Sequence, residues 1–376
     1  VSSWSPIAIL PNLSSGKVIE GEVVALAGSQ DSRIQAICQA APKFADLLSR
    51  FTNAFGVALD PVLLIARDDA LPNLTAEALL SFRDLVAIGI IPYSRSLNTV
   101  YRTTNRIVYA NSFWIYPWML GKGNQSLTTS TPAFSGIHVV EAFHGQASPD
   151  LPVMQIDDID TPLLEALLAC WKRHYLGTRR RWKDRALFRS LNMAVQAALL
   201  PAGVGTTIFD LGRSISLWVS AFEILSPPRV KKAGLFTVYP LLEGVTYCDC
   251  KVGRRRYAAY IPEWKKRNNK KQNVREARRS LPCWIYGKLY QAWNDFLHGN
   301  RVSVKTLSPK GTQDGLFWLA PSVYRLALTG FLKLSVDQSL PYWLSDSYDK
   351  NPLLRKKRKA YNRQSMIERA LLRIQK

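Results

Sequence analysis

Apolar positions recur at helical spacing through most of the second half of the chain. Leu163, Leu164, Leu167, Leu168 and Trp171 form a stripe behind Thr161-Pro162, which reads as an N-cap and first helical residue. Leu187, Leu191, Ala194, Val195 and Ala198 mark a second helix over Lys183–Leu200, closed by Pro201-Ala202-Gly203. Leu211, Ile215, Trp218, Val219, Phe222 and Leu225 mark a third over Phe209–Leu225, ended by Pro227-Pro228. Leu235–Leu242 reads as a short helix or a buried turn. Ile285, Leu289, Ala292 and Phe296 place a helix over Pro282–Leu297, and Val302–Leu307 reads as a short extended piece. Val323, Leu326, Ala327, Gly330, Phe331 and Leu334 predict a last bundle helix over Ser322–Val336. Antiparallel helices of this kind bury their stripes against one another.

The first half is less regular. Residues 1–16 read as irregular, and Lys17–Ala27 as a strand closed by Gly28. Asp31–Phe51 reads as one helix, and Leu59–Ile65 as a short buried segment of either type. Asn73 opens a further helix that runs to Pro92. Gly121–Thr131 is small and polar and reads as a loop, and its Gly121-Lys122-Gly123 lacks the spacing of a phosphate-binding loop. The predicted class is therefore mainly α. A mixed α/β or α+β N-terminal domain over 1–155 precedes a helical bundle over 161–345, and a basic tail with a short helix covers 350–376.

Composition narrows the classes. The chain has 376 residues, enough for two domains or three, and is 47% hydrophobic with 11 Trp and 15 Tyr, which excludes a disordered polypeptide. Five cysteines, an odd and sparse set, do not make a disulfide framework, and a reducing compartment follows. No run is long enough to span a bilayer, and Val1–Trp4 lacks the basic start of a secretion signal, so the expected location is cytoplasmic.

The formal net charge is +22, from 50 basic and 28 acidic residues, and it points to a polyanionic partner, RNA or other nucleic acid before an anionic membrane surface. The charge concentrates in 251–279. Arg254, Arg255, Arg256, Lys265, Lys266, Arg267, Lys270, Lys271, Arg275, Arg278 and Arg279 lie there, interleaved with Tyr257 and Trp264. Cations that meet phosphates and rings that stack on bases are what a nucleic-acid surface requires. A solvated insertion is the plainer alternative. A second basic run, Arg355-Lys356-Lys357-Arg358-Lys359, lies near the C-terminus. The aromatics of 101–118 have no regular exposed spacing and read as core before base platform.

Two metal readings are weaker. His138, Glu141 and His144 are spaced H-x2-E-x2-H, which is not the H-E-x-x-H zinc motif, and surface histidines are the default. Cys248 and Cys250 form a C-x-C pair that would need Cys283 and His298 to complete four-coordinate zinc. No metal and no cofactor is expected.

The helix ending in Asn294-Asp295-Phe296-Leu297-His298-Gly299 carries the most specific pattern. Asn294 and His298 are four apart and share a face, Asp295 is within reach of His298, and Gly299 is a C′ residue. This stretch resembles the signature helix of HEPN domains, the all-helical modules of many RNases. Arg213–Leu225 resembles the earlier helix of the Apea-like branch, with Glu223 as its acidic end residue. The family pattern has an arginine where this chain has Trp293. The resemblance implies a metal-independent endoribonuclease that leaves a cyclic phosphate, with His298 moving protons, Asn294 holding phosphate or ribose, and Asp295 orienting His298. Arg213, Arg301, Arg279 or an arginine from across a dimer would replace the missing cation. It also implies a homodimer through facing signature helices, with a protein or RNA partner for the N-terminal domain. The alternatives are a degenerate nucleic-acid-binding or regulatory module and a structural dimerising protein.

Overall fold

The computed structural model describes residues 3–14, 17–102, 108–121, 126–129, 143–147, 153–156, 158–178, 181–199, 207–226, 234–262, 277–308, 315–336 and 352–373. The chain is mainly helical, richer in strands toward its N-terminus and largely helical after it. It divides into two compact units, Val1–Val86 with Val108–Asp157, and Ala87–Ile107 with Asp158–Lys376.

Unit 1 is built on strands β1 (Trp4–Leu10), β2 (Leu13–Ser14), β3 (Ile19–Glu20) and β4 (Val24–Ala27), helices α1 (Ser32–Ala40) and α2 (Pro42–Ser49), and strand β5 (Val62–Arg67). An antiparallel sheet runs β1-β5-β4-β3, with Leu10 opposite Val62 and Val24 opposite Ala66. Ile9, Ala25, Ala27, Leu63 and Ile65 pack with Ile34 and Ile37 of α1 and with Phe44 and Leu47 of α2. The part expected to be irregular thus opens on a seven-residue strand. Its Pro6 hid it. Proline is tolerated here because β1 is an edge strand, and the register breaks between Pro6 and Ala8. The single helix expected over Asp31–Phe51 is two. Pro42 opens α2 and pushes Ala41 out of the helical region, to φ −131° and ψ 78°.

Helix α3 (Ala76–Tyr101) starts later and ends later than the sequence suggests. The Thr75 hydroxyl, not Asn73, accepts from the Ala78 N–H at 3.1 Å. Pro92 lies inside the helix, with Ile90, Ile91, Tyr93, Ser94, Arg95 and Ser96 buried on both sides of it. Burial outweighs the lost backbone bond. Strand β6 (Trp118–Leu120) pairs antiparallel with β7 (Leu127–Thr129), which lies within the stretch expected to be a loop; residues 122–125, 130 and 131 of that stretch lie outside the described residues. Strand β8 (Met154–Gln155) pairs in parallel with β2. In the aromatic stretch, Tyr109, Phe113 and Tyr116 are buried, and Tyr116 meets Phe51 edge-on at 4.9 Å between ring centres. They serve the core.

Unit 2 holds α4 (Thr161–Trp171), α5 (Trp182–Ala197), α6 (Ile208–Ile224), α7 (Leu235–Glu243), α8 (Cys250–Gly253), strands β9 (Tyr257–Ala258) and β10 (Arg278–Arg279), α9 (Leu281–Leu297), α10 (Val304–Leu307), α11 (Leu316–Leu332) and α12 (Pro352–Leu372). Asp160 rather than Thr161 caps α4, its carboxylate accepting from the Leu163 N–H at 3.3 Å. The same carboxylate pairs with buried Arg325 of α11 at 2.6 Å. Trp218 and Phe222 of α6 meet Tyr324 of α11, each at 5.4 Å between ring centres, and Phe222 meets Tyr286 of α9 at 4.9 Å. These rings form the centre of the unit. The piece expected to be extended at Val302–Leu307 contains one turn of helix, because Ser303 and Thr306 bond each other reciprocally, at 3.4 Å and 3.2 Å.

The C-terminal helix is longer than the short one expected, at 21 residues. Ile367, Ala370 and Leu371 are buried, and the Glu368 carboxylate accepts from the backbone N–H groups of Cys248 at 2.9 Å and Asp249 at 2.7 Å. The basic pentamer forms part of its first half, where Arg358 is buried.

Candidate nucleic-acid interface and the end of α9

Helix α9 buries Leu281, Ile285, Leu289 and Ala292 along one stripe, as the spacing predicts. Its end is a Schellman turn. The Asn300 N–H reaches back to the Asp295 carbonyl at 2.9 Å and the Gly299 N–H to that of Phe296 at 3.4 Å. Gly299 adopts φ +69°, the left-handed geometry expected of it. His298 is exposed at the C-cap, and Asn294 is half-buried one turn before it. The Asp295 carboxylate accepts from the Asn300 amide at 3.2 Å, so its hydrogen bond goes to the turn instead of the imidazole.

Helix α6 packs on α9 at this end. A Cβ on Gly212 would lie 2.4 Å from Phe296, so only glycine lets the helices come this close. Arg213 follows directly, exposed and paired with Asp210 at 3.0 Å on its own helix. Arg301 is exposed beyond the turn. Trp293 packs on Tyr290 at 4.9 Å between ring centres.

The basic interval begins beside this helix. Strands β9 and β10 pair antiparallel, which sets Arg279 opposite Tyr257 and Arg278 opposite Ala258. Lys265, Lys266, Arg267, Lys270, Lys271, Arg275 and Trp264 fall between the two strands and lie outside the described residues, as do His138 and Glu141. Arg254, Arg255 and Arg256 are exposed. The Arg255 guanidinium lies 5.5 Å from the centre of the Tyr257 ring, and that of Arg279 lies 5.3 Å from the Tyr239 ring. Arg256 pairs with Glu243 at 2.8 Å, and Glu243 also accepts from the Ser280 N–H at 2.9 Å. Burial alone would raise the Glu243 carboxyl, but these two donors hold it below its ordinary value. A cleft of about 460 Å³ opens here, lined in part by Glu243, Thr246, Cys248, Cys250, Arg254 and Arg256.

Burial, and then the Glu368 charge, push the Cys248 thiol well up, which leaves it a poor ligand and nucleophile. Among the described residues no group of three or more His, Cys, Asp and Glu is placed to hold a metal ion. None of their helices is long and apolar enough to cross a membrane.

Sequence reading passed over one cluster. Tyr286, Tyr290 and Trp293 recur on α9 at one helical face, and Tyr290 lies 6.4 Å from Tyr260 between ring centres. Glu223, at the end of α6, is near them. Burial alone pushes its carboxyl up to about 7. The helical recurrence of Tyr286, Tyr290 and Trp293 was the available signal. Comparison with protein-family models, curated proteins and solved structures finds no match to this chain.

Proposed function

We propose that this protein associates with RNA through its helical unit, in the manner of a HEPN-like module. The observation that carries the reading is the β9–β10 pair, with Tyr257 opposite Arg279 and Arg254–Arg256 just before it, in a chain of net charge +22. Cations there neutralise phosphates, and Tyr257 offers a face to a base. Binding should be strong at low salt and fall steeply as salt rises. An affinity titration against single-stranded RNA tests it, and no binding at low salt overturns it. DNA run in parallel separates RNA from nucleic acid in general. A cytoplasmic location belongs to this reading, and so does a homodimer with facing Tyr290–His298 segments. Light scattering at several concentrations tests the dimer, and a monomer throughout the series removes it.

The second reading is a metal-independent endoribonuclease at the end of α9. It is favoured by the exposure of His298 at the C-cap, one turn after Asn294, where an RNA strand can reach the imidazole. Against it stands Trp293, an uncharged ring where the resemblance calls for a cation. A binding module without catalysis is the outcome if His298 moves no proton.

A further inference from the structure

Gly234 sits against two polar groups of the helical unit. A Cβ built there would lie 3.9 Å from the Tyr290 hydroxyl and 4.0 Å from a Glu223 carboxylate oxygen. Both polar groups therefore lie against Gly234, and Glu223 and Tyr290 are each half-buried, so that solvent reaches this place. Trp293 packs beside Tyr290, and Tyr286 lies deeper, fully buried, its hydroxyl without a hydrogen-bond partner. Buried polar groups are nearly always satisfied, so an accepting carboxylate and an unused phenol at one place call for a ligand that supplies donors.

We propose that Glu223, beside Gly234, Tyr290 and Trp293, is a guanine-reading position for single-stranded RNA. The inference rests on the RNA reading above and names what one part of that surface recognises. Guanine is the base whose Watson–Crick edge presents two adjacent donors, N1–H and the N2 amino group. They match the two oxygens of one carboxylate, while the faces of Tyr290 and Trp293 supply stacking. A small cationic ligand would also suit a carboxylate, but the net charge of +22 repels it. The position is continuous with the basic hairpin. Tyr257 of β9 lies 6.4 Å from Trp284 between ring centres, and Tyr260, two residues past β9, is as far from Tyr290. Phosphates on the arginines and bases along α9 thus follow one track.

Reading guanine in this way requires an ionised carboxylate. Glu223 titrates near 7, and among the described residues the titratable groups facing it are Tyr286 and Tyr290 of α9, with Tyr260 next to Tyr290. Burial pushes the Tyr286 and Tyr290 phenols up, away from this range, so the preference for guanine grows as pH rises through about 7.

The test uses the full chain and short oligouridylates carrying one central guanosine, inosine or adenosine. Inosine keeps the ring and N1–H but lacks the N2 amino group. The expected result is guanosine over inosine by about tenfold, the discrimination of one good bidentate pair. Glu223→Gln should bring the ratio close to one and leave inosine affinity unchanged. Gly234→Val leaves the carboxylate intact but crowds the approach to it, and should weaken guanosine and inosine to a common level and so bring the ratio close to one. Gly234 has φ 170°, extended backbone that valine adopts. Equal affinity for all three oligonucleotides overturns this inference alone, and so does a preference that survives both substitutions. Failure of every oligonucleotide to bind overturns the RNA reading and this inference with it.

Discussion

Asn300 grips Asp295 twice, its backbone N–H on the carbonyl at 2.9 Å and its side-chain amide on the carboxylate at 3.2 Å. This pair of hydrogen bonds fixes the turn that follows α9. It also sets where His298 and Arg301 sit, since both belong to that turn or follow it directly.

The turn depends on Gly299. Its φ of +69° suits glycine, and no atom lies within 4 Å of a Cβ placed there. Gly299→Ala therefore meets backbone strain without a clash and should cost about 1 kcal/mol. Gly299→Asn should cost less, because asparagine tolerates this region. Urea unfolding of the three proteins measures the difference, and an unchanged midpoint for the alanine variant would remove the turn as a source of stability.

Helix α9 was legible because its apolar spacing, its proline in the first turn and its closing glycine all agree. The same agreement made α5 and α6 legible to within a few residues. Elsewhere local signals conflicted with tertiary ones. Pro92 reads as a stop, yet the buried residues on both sides hold α3 together through it. Pro6 disguised a strand that only an edge position permits. The surroundings of Glu223 were illegible for a different reason. They are assembled from the end of α6, the start of α7 and the middle of α9, and no sequence spacing connects the three. The C-terminal helix hid its role likewise: five consecutive basic residues read as a solvated tail, while Glu368 and Ile367, which dock it, lie two turns or more beyond.

Glu223 links that cluster to stability. Its carboxyl titrates near 7 in the folded chain because burial disfavours the charge, against an ordinary value of 4.5. Between those values the folded chain holds a proton that the unfolded chain has released. Stability contributed by this group is thus full below about 4.5 and is lost as pH rises to about 7. Glu223→Gln removes the titration. The variant should melt several degrees above the parent at pH 8, with the gap closing toward pH 5. Thermal unfolding over that range measures it, and a gap independent of pH would assign the effect to packing.

Glu368 is the opposite case, a buried carboxylate that has its donors. It serves the N–H groups of Cys248 and Asp249, and Gln364 donates to it at 2.9 Å. Glu368→Ala leaves those donors unmatched and should cost about 2–4 kcal/mol. Glu368→Gln keeps the shape and one acceptor and should cost less. Denaturant unfolding ranks the two, and equal losses would mean that volume rather than hydrogen bonding matters.

The arginines before β9 should act on nucleic acid and hardly on the fold. Changing Arg254, Arg255 and Arg256 together to Gln removes three exposed cations, one of them in an ion pair with Glu243. An exposed pair contributes at most about 1 kcal/mol, so the melting temperature should move little. The slope of log affinity against log salt should become shallower by about 2, from three lost phosphate contacts on a single strand. The loss should be similar for unrelated sequences, since phosphates carry no sequence information. An unchanged slope would place the phosphate contacts elsewhere on the chain.

The proposed ribonuclease activity would turn on His298. The imidazole is exposed at the end of α9, and Asp295 is occupied by Asn300, so the geometry gives it no carboxylate orienter. A histidine in that setting can still move a proton near neutral pH. The cation needed for the charged phosphorane would have to come from Arg213, once released from Asp210, or from Arg301. The assay is incubation with structured and single-stranded RNA in excess chelator, with the new ends identified chemically. If the chain is a ribonuclease of this type, it leaves cyclic phosphate ends, and His298→Ala lowers the rate by about 10²–10⁴-fold while binding is retained. Asn294→Ala should lower it as well, with folding checked for both. A further comparison separates the two arginines. Arg213→Gln and Arg301→Gln should differ in rate, because only the residue that meets the phosphorane acts on the transition state. A His298→Ala protein as active as the parent would exclude the imidazole from the chemistry. Intact RNA bound by the parent would leave a binding module, with Trp293 in place of the cation as the physical reason.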